Sequence, residues 1–294
     1  MKSLFCFRTI SLTTDLQDNQ TFLTLCLLIM SLFHFSSFKG ITVLKKIIIY
    51  ILLNILAITH FSHLIAQDAV AQSKRRKASY HAFVSGKMDD WTHIIAEMEK
   101  CTSLSQGEKF ELIRYYYGYS AYLIGMKQNK KAKSYVGKGD KLINEILKSE
   151  PNHATALAFK GSFLGFKVAL NRWRIVTLGP ESIRCINRAY KTDPHDIQAI
   201  TDKANLLYFT PGLFGGNKKE SFVFFEKSVA KMESGQKTKD SWFYLALLSL
   251  LAEHYEKEGF CDKALVTQQK LLSIEPNLKW LKEKILSKLE VEED

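Results

Sequence analysis

The residues able to do chemistry are scattered along this chain. The histidines that follow the amino-terminal apolar region, His81, His93, His153, His195 and His254, lie far apart, and a metal centre needs several ligands brought to one point. They read as surface or helix-capping residues. No HExxH is present, and no serine stands in a GxSxG context, so neither a zinc hydrolase nor a nucleophile elbow is indicated. The glycine run ending at Gly216 continues Asn217-Lys218-Lys219 instead of the Lys-Ser or Lys-Thr of a phosphate loop. Gly137-Lys138-Gly139 lacks the third glycine and the preceding strand of a dinucleotide site. The cysteines, Cys6, Cys26, Cys101, Cys185 and Cys261, form no CxxC. Cys6 and Cys26 fall in the amino-terminal targeting region, and the other three read as small buried thiols on helices, with a single disulfide among them as the alternative in an exported protein. The expectation is a protein that is no enzyme and takes no metal or cofactor.

Binding chemistry is easier to place. Tyr115, Tyr119 and Tyr122 recur at i, i+4 and i+7, one stripe of rings with polar tips, a composition suited to a peptide or partner helix. If Gly118, Gly161, Ala204 and Ala252 are equivalent small residues on successive helices, the side chains sharing the tyrosines' face are Ser162 and Phe166, then Thr201, Asn205 and Tyr208, then Glu253 and Glu256. Trp173, between Arg172 and Arg174, is a further contact candidate. The alternative for each ring is packing against a neighbouring helix.

These residues imply a particular architecture. From Ser73 onward apolar residues recur at helical spacing, with no convincing strand run. The pattern resolves into helix pairs over 74–85 and 89–101, 108–124 and 129–149, 153–170 and 181–192, 195–209 and 217–232, and a fifth pair split at Gly259, followed by an amphipathic helix over 278–290. Second helices align on a small residue (Gly139, Ser182, Ser221, Ala264), and Pro151, Pro194 and Pro276 close three of those four units. A small residue lets antiparallel helices approach closely, and proline stops one hairpin so that the next can begin. The longer-than-usual period comes from insertions over 170–180 and 209–217. In the second, Pro211-Gly212 predicts a tight turn, Gly215-Gly216 positive φ, and Asn217 a cap for the next helix.

Tyr255, Gly259, Ala264 and Pro276 stand where a tetratricopeptide repeat places Tyr, Gly, Ala and Pro, and the chain resembles that family over roughly residues 74–276. Gln268 and Leu271 depart from the pattern. The loop Pro211–Lys219 is similar to one in exported tetratricopeptide proteins that accompany TRAP-type solute transporters. The resemblance implies an all-α, right-handed solenoid of about five helical hairpins with a carboxy-terminal capping helix. It also implies a solute-binding protein as one candidate partner, and a homo-oligomer.

The amino-terminal region divides in two. The apolar run 47–66 follows Lys45-Lys46 and precedes Ala69-Val70-Ala71, which reads as a signal peptide over 44–71, cleaved after Ala71 or near Ala66. Residues 1–43 then precede the true start, at Val43 or Leu44. The rival reading takes the apolar runs 21–38 and 47–66 as a two-helix membrane anchor. Cys26 follows Thr24-Leu25, not the small residues of a lipid-acceptor site. The chain carries 41 Lys and Arg against 30 Asp and Glu, spread along helices as a solvated basic surface, with no basic block for nucleic acid. The functional expectation for 72–294 is an exported, periplasmic, non-enzymatic scaffold binding a protein or peptide on its concave face. The alternatives are a periplasmic part of a TRAP-type uptake system and a membrane-anchored assembly factor.

Overall fold

The computed structural model describes residues 43–279 together with Leu281 and Glu283. Residues 1–42, which contain the first apolar run, and most of the helix expected over 278–290 lie outside the described residues. The chain divides into two compact units, residues 1–69 and 70–294. The described part of the first is the opening of helix α1 (Val43–Val84), where Ile51, Leu52, Ile55 and Leu56 are exposed. Among the described residues no helix is long and apolar enough to cross a membrane. The side chains of residues 60–68, and with them part of the 44–71 segment, lie outside the described set.

The second unit is all-α and solenoid-like, built from successive antiparallel hairpins. The end of α1 pairs with α2 (Trp91–Glu99), α3 (Gln106–Gly125) with α4 (Asn129–Ser149), and α5 (Ala154–Leu170) with α6 (Ile175–Thr192). Helix α7 (Ile197–Phe209) pairs with α8 (Lys218–Ser234), and α9 (Trp242–Lys257) with α10 (Cys261–Ile274). Helix starts are set locally. Ser105 and Glu108 form a reciprocal capping box on α3, and Asp196, Asn217 and Ser241 each accept a backbone N–H at the start of α7, α8 and α9.

The small residues act as their spacing predicts. A Cβ at Gly161 would stand 2.4 Å from Ile186 Cγ1, and the Ser182 hydroxyl donates to the Gly161 carbonyl at 2.8 Å. Glycine and serine thus let α5 and α6 touch backbone to backbone. One boundary differs from expectation: α6 begins at Ile175, five residues before Pro180. Gly179 explains the tolerance, because without a Cβ it escapes the clash that drives a pre-proline residue out of the helical region.

The fifth hairpin also folds back onto the first. Trp242 packs edge-on against Trp91 at 4.7 Å and near Phe83, and Tyr80 donates to Glu275 at 3.0 Å. Trp91 and Trp242 meet over Gly118, where a Cβ would come within 2.7 Å of both rings. Leu278 and Leu281 are fully buried, so the first residues of the expected capping helix join this core.

Candidate functional site

The first helices of consecutive hairpins run parallel and in register. The Thr155 hydroxyl donates to Asp196 at 2.7 Å, and Ser162 lies close enough to Asp202 to influence its carboxyl. Thr155 and Asp196 are 41 residues apart and Ser162 and Asp202 are 40 apart, so Phe166 of α5 lies near the level of Leu206 and Leu207 on α7. One helix earlier, Tyr117 of α3 meets Phe159 at 5.7 Å and Phe166 at 5.3 Å.

A polar floor lies within this layer. Asp202 is fully buried; Gln198 Nε2 donates to its Oδ2 at 3.0 Å, and the polar side chains of Ser162 and Asn205 stand close enough to influence its carboxyl. Asp202 Oδ1 and Asn205 Oδ1 are buried and have no hydrogen-bond partner. Burial, only partly offset by those polar neighbours, pushes the Asp202 carboxyl up to about 7, and the charge of Asp196 adds to the shift. A proton on Asp202 turns one bare acceptor into a donor. Burial also raises the Tyr117 hydroxyl, with Asp202 contributing.

Half-buried rings lie near this floor: Tyr117, whose hydroxyl feels Asp202, packs against Phe166, and Tyr208 follows Asn205 by one helical turn on α7. Tyr208 stacks flat on His254 of α9, with ring centres 3.6 Å apart, and donates to Glu258 at 3.2 Å. His254 is 2% exposed, and neither ring nitrogen has a partner. Burial lowers it to about 4, against the pull of Glu253 and Glu258, so it is a neutral core ring at physiological pH. The expectation that His254 is a surface or capping residue is therefore corrected. His153 does cap, accepting from Ala156 N. Of the described cysteines, Cys185 is buried while Cys101 and Cys261 are exposed, and all three are free. The reading of these thiols as buried holds for Cys185 alone.

The structure separates the expected contact residues into three groups. Ser162 and Asn205 stand beside Asp202, Phe166 packs against Tyr117 of α3, and Tyr208 packs against His254 of α9. Tyr115, Tyr119 and Thr201 are core. Tyr119 is 1% exposed and donates to Asp89 at 2.6 Å; Tyr115 packs edge-on against Trp91 and donates to Glu111; Thr201 bonds Ser228 at 2.6 Å. Tyr122, half-buried, stacks on Tyr119. The tyrosine stripe thus faces the preceding hairpin, and the ring turned toward α5 is Tyr117, roughly 200° around the helix from Tyr115 at about 100° per residue. Glu253 is exposed and paired with Lys257, Glu256 is half-buried, and Trp173 is 91% exposed on the turn before α6. Tyr117, Gln198 and Asp202 were not anticipated. The i, i+4, i+7 spacing of Gln198, Asp202 and Asn205 on one face of α7 was the available signal.

The loop after α7 forms a tight turn over Gly212–Phe214, with Gly215 at φ +90° and Asn217 capping α8. Gly216 does not take positive φ as expected. It is required for close approach instead, because a Cβ there would lie 1.6 Å from the Thr210 carbonyl oxygen.

No family model matches this sequence, and no curated protein matches it. The tetratricopeptide and TRAP-associated resemblances therefore rest on the spacings given above. Among solved structures, the chain is similar to the HusA haemophore from Porphyromonas gingivalis at 18% identity, covering 64% of this chain and 93% of that one, with a TM-score of 0.46.

Proposed function

We propose that this chain is an exported, non-enzymatic helical-repeat scaffold that binds a protein or peptide segment along the first helices of its hairpins. The binding layer is Ser162, Asn205 and Asp202, bordered by Tyr117, Phe166 and Tyr208. The reading rests on one observation: two polar oxygens, Asp202 Oδ1 and Asn205 Oδ1, are buried without partners near half-buried aromatic rings. Such oxygens cost stability until a hydrogen-bond partner reaches them, and rings of this kind give contact area at low entropic cost. The favoured partner is a segment that presents a donor to Asn205 Oδ1 and either a donor or an acceptor to Asp202 Oδ1, according to whether that carboxyl carries its proton.

The test places a photo-cross-linking amino acid at Phe166, at Asn205 and, as a control on the outer helix α4, at Lys141, in the cell that makes the protein. One polypeptide captured from 166 and 205 but not from 141, and lost when Asp202→Leu is added to the Phe166 probe, supports the reading. Equal capture from all three positions, or none from 166 and 205, refutes it. Export is tested separately by amino-terminal sequencing, which is expected to find the mature chain starting between residues 67 and 72.

A further inference from the structure

The turns that join the two helices of each hairpin differ in chemistry from the turns that join one hairpin to the next. Parallel register among α3, α5 and α7 carries the first set along one edge. On that edge Lys218, which opens α8, reaches Glu258 after α9, and Phe222 meets Phe260 at 5.4 Å. These within-hairpin turns, over residues 85–90, 125–133, 171–180, 209–220 and 257–263, contain eleven Lys and Arg against five Asp and Glu. The between-hairpin turns, over 100–105, 149–154, 191–197, 233–241 and 274–277, contain four against six.

The most exposed apolar residues of this unit lie at the within-hairpin connections, whereas Val223, Leu265 and Val266 are exposed on helix faces and Ile274 at a between-hairpin turn. Leu213 is 97% exposed, Trp173 91% and Phe214 72%, on the two insertion turns after α5 and α7, and Val176 is 80% exposed at the start of α6. Met126 and Phe260 are exposed on the flanking turns. Arg172, Arg174 and Lys219 beside them are exposed and form no ion pair among the described residues, as do the lysines of 127–133. Gly216, held against the Thr210 carbonyl, and the Asn217 N–H, which donates to the Leu207 carbonyl at 2.9 Å, fix the second turn with its apolar tip outward. The tip is therefore part of the folded form of the loop.

We propose that this edge seats on an anionic membrane surface, with Trp173, Val176, Leu213 and Phe214 entering the headgroup boundary and the neighbouring arginines and lysines meeting the lipid phosphates. A bilayer suits the arrangement better than a protein does. The apolar side chains stand on separate turns and at the first turn of α6 with exposed cations beside them, and neither the concavity along α4 nor the one lined by Asp89 and Tyr135 reaches them. Separate apolar tips ringed by unpaired cations match an interface that is apolar at depth and anionic at its surface. This inference is independent of the binding layer around Asp202.

The test compares the full chain with a Trp173→Ser/Leu213→Ser/Phe214→Ser variant on phosphatidylcholine vesicles with and without phosphatidylglycerol, by co-sedimentation and by tryptophan quenching with brominated lipid. These side chains touch no core, so unchanged circular dichroism is expected to verify folding. The expected result is quenching that disappears in a Trp173→Phe variant. Partitioning should fall about tenfold or more in the triple variant and when phosphatidylglycerol is omitted. Partitioning that the triple variant does not change overturns the proposal and assigns vesicle binding to other parts of the chain. Absence of Trp173 quenching on anionic vesicles, with protection of the same tip only by a protein partner, overturns it in favour of a protein interface.

Discussion

Asp202 and His254 are both buried with their charged forms disfavoured, and they pull the pH dependence of stability in opposite directions. Asp202 rises from 3.8 to about 7. Between those values the folded state holds a proton that the unfolded state has released, so stability falls as pH rises through the window and stays at the lower level above it. A shift of about three units corresponds to roughly 4 kcal/mol. His254 falls from 6.5 to about 4. Over that window the unfolded state holds the extra proton, so stability is full above 6.5 and is lost as pH falls, by roughly 3 kcal/mol. The two effects nearly cancel between about pH 4.5 and 6.5, and the unmodified chain is expected to be almost indifferent to pH there. Asp140, Glu226 and Glu233 are held low by lysine partners or a tyrosine hydroxyl, so their contributions fall below this window. Asp202→Asn removes one arm. Its stability is expected to rise with pH at up to about 1.4 kcal/mol per unit, and that of His254→Gln to fall at a similar rate. Urea unfolding followed by far-ultraviolet circular dichroism, at constant ionic strength and with the denaturant slope checked for constancy, reads both. Parallel pH profiles for Asp202→Asn and the unmodified chain would refute the assignment of a buried, protonated Asp202.

Three further outcomes are expected. Gly161→Ala drives a Cβ into Ile186 and the Ser182 carbonyl, and is expected to lower stability by about 1–3 kcal/mol in the same urea assay. Asn217→Ala removes the acceptor of the Glu220 N–H at the start of α8, with an expected cost of about 1 kcal/mol and faster amide exchange confined to the first turn of that helix. Tyr119→Phe loses the hydrogen bond to Asp89 at a cost of about 1 kcal/mol. It is expected to leave cross-linking from Phe166 and Asn205 unchanged, because Tyr119 faces the neighbouring hairpin.

Much of the fold follows from local chemistry and was legible in the sequence. Helical periodicity from Ser73 onward, caps such as Asn217, the stops at Pro151, Pro194 and Pro276, and the small residues at Gly161 and Ser182 act within one hairpin or between adjacent ones. Each therefore leaves a mark at short spacing. That Ser162 and Phe166 share one face of α5, and Asn205 and Tyr208 one face of α7, follows from spacing for the same reason. Other features were decided only in three dimensions. Tyr115 and Tyr119 lie on a regular stripe, but whether a stripe meets solvent or a neighbouring helix depends on where that neighbour packs, and Trp91 and Asp89 occupy the space. The meeting of Trp242 with Trp91 joins residues far apart in sequence through the summed rotation of several hairpins, which no local spacing records. Asp202 and His254 carry the same formal groups as any exposed aspartate and histidine. Their shifted protonation arises from desolvation, a property of the assembled surroundings and not of the residues themselves.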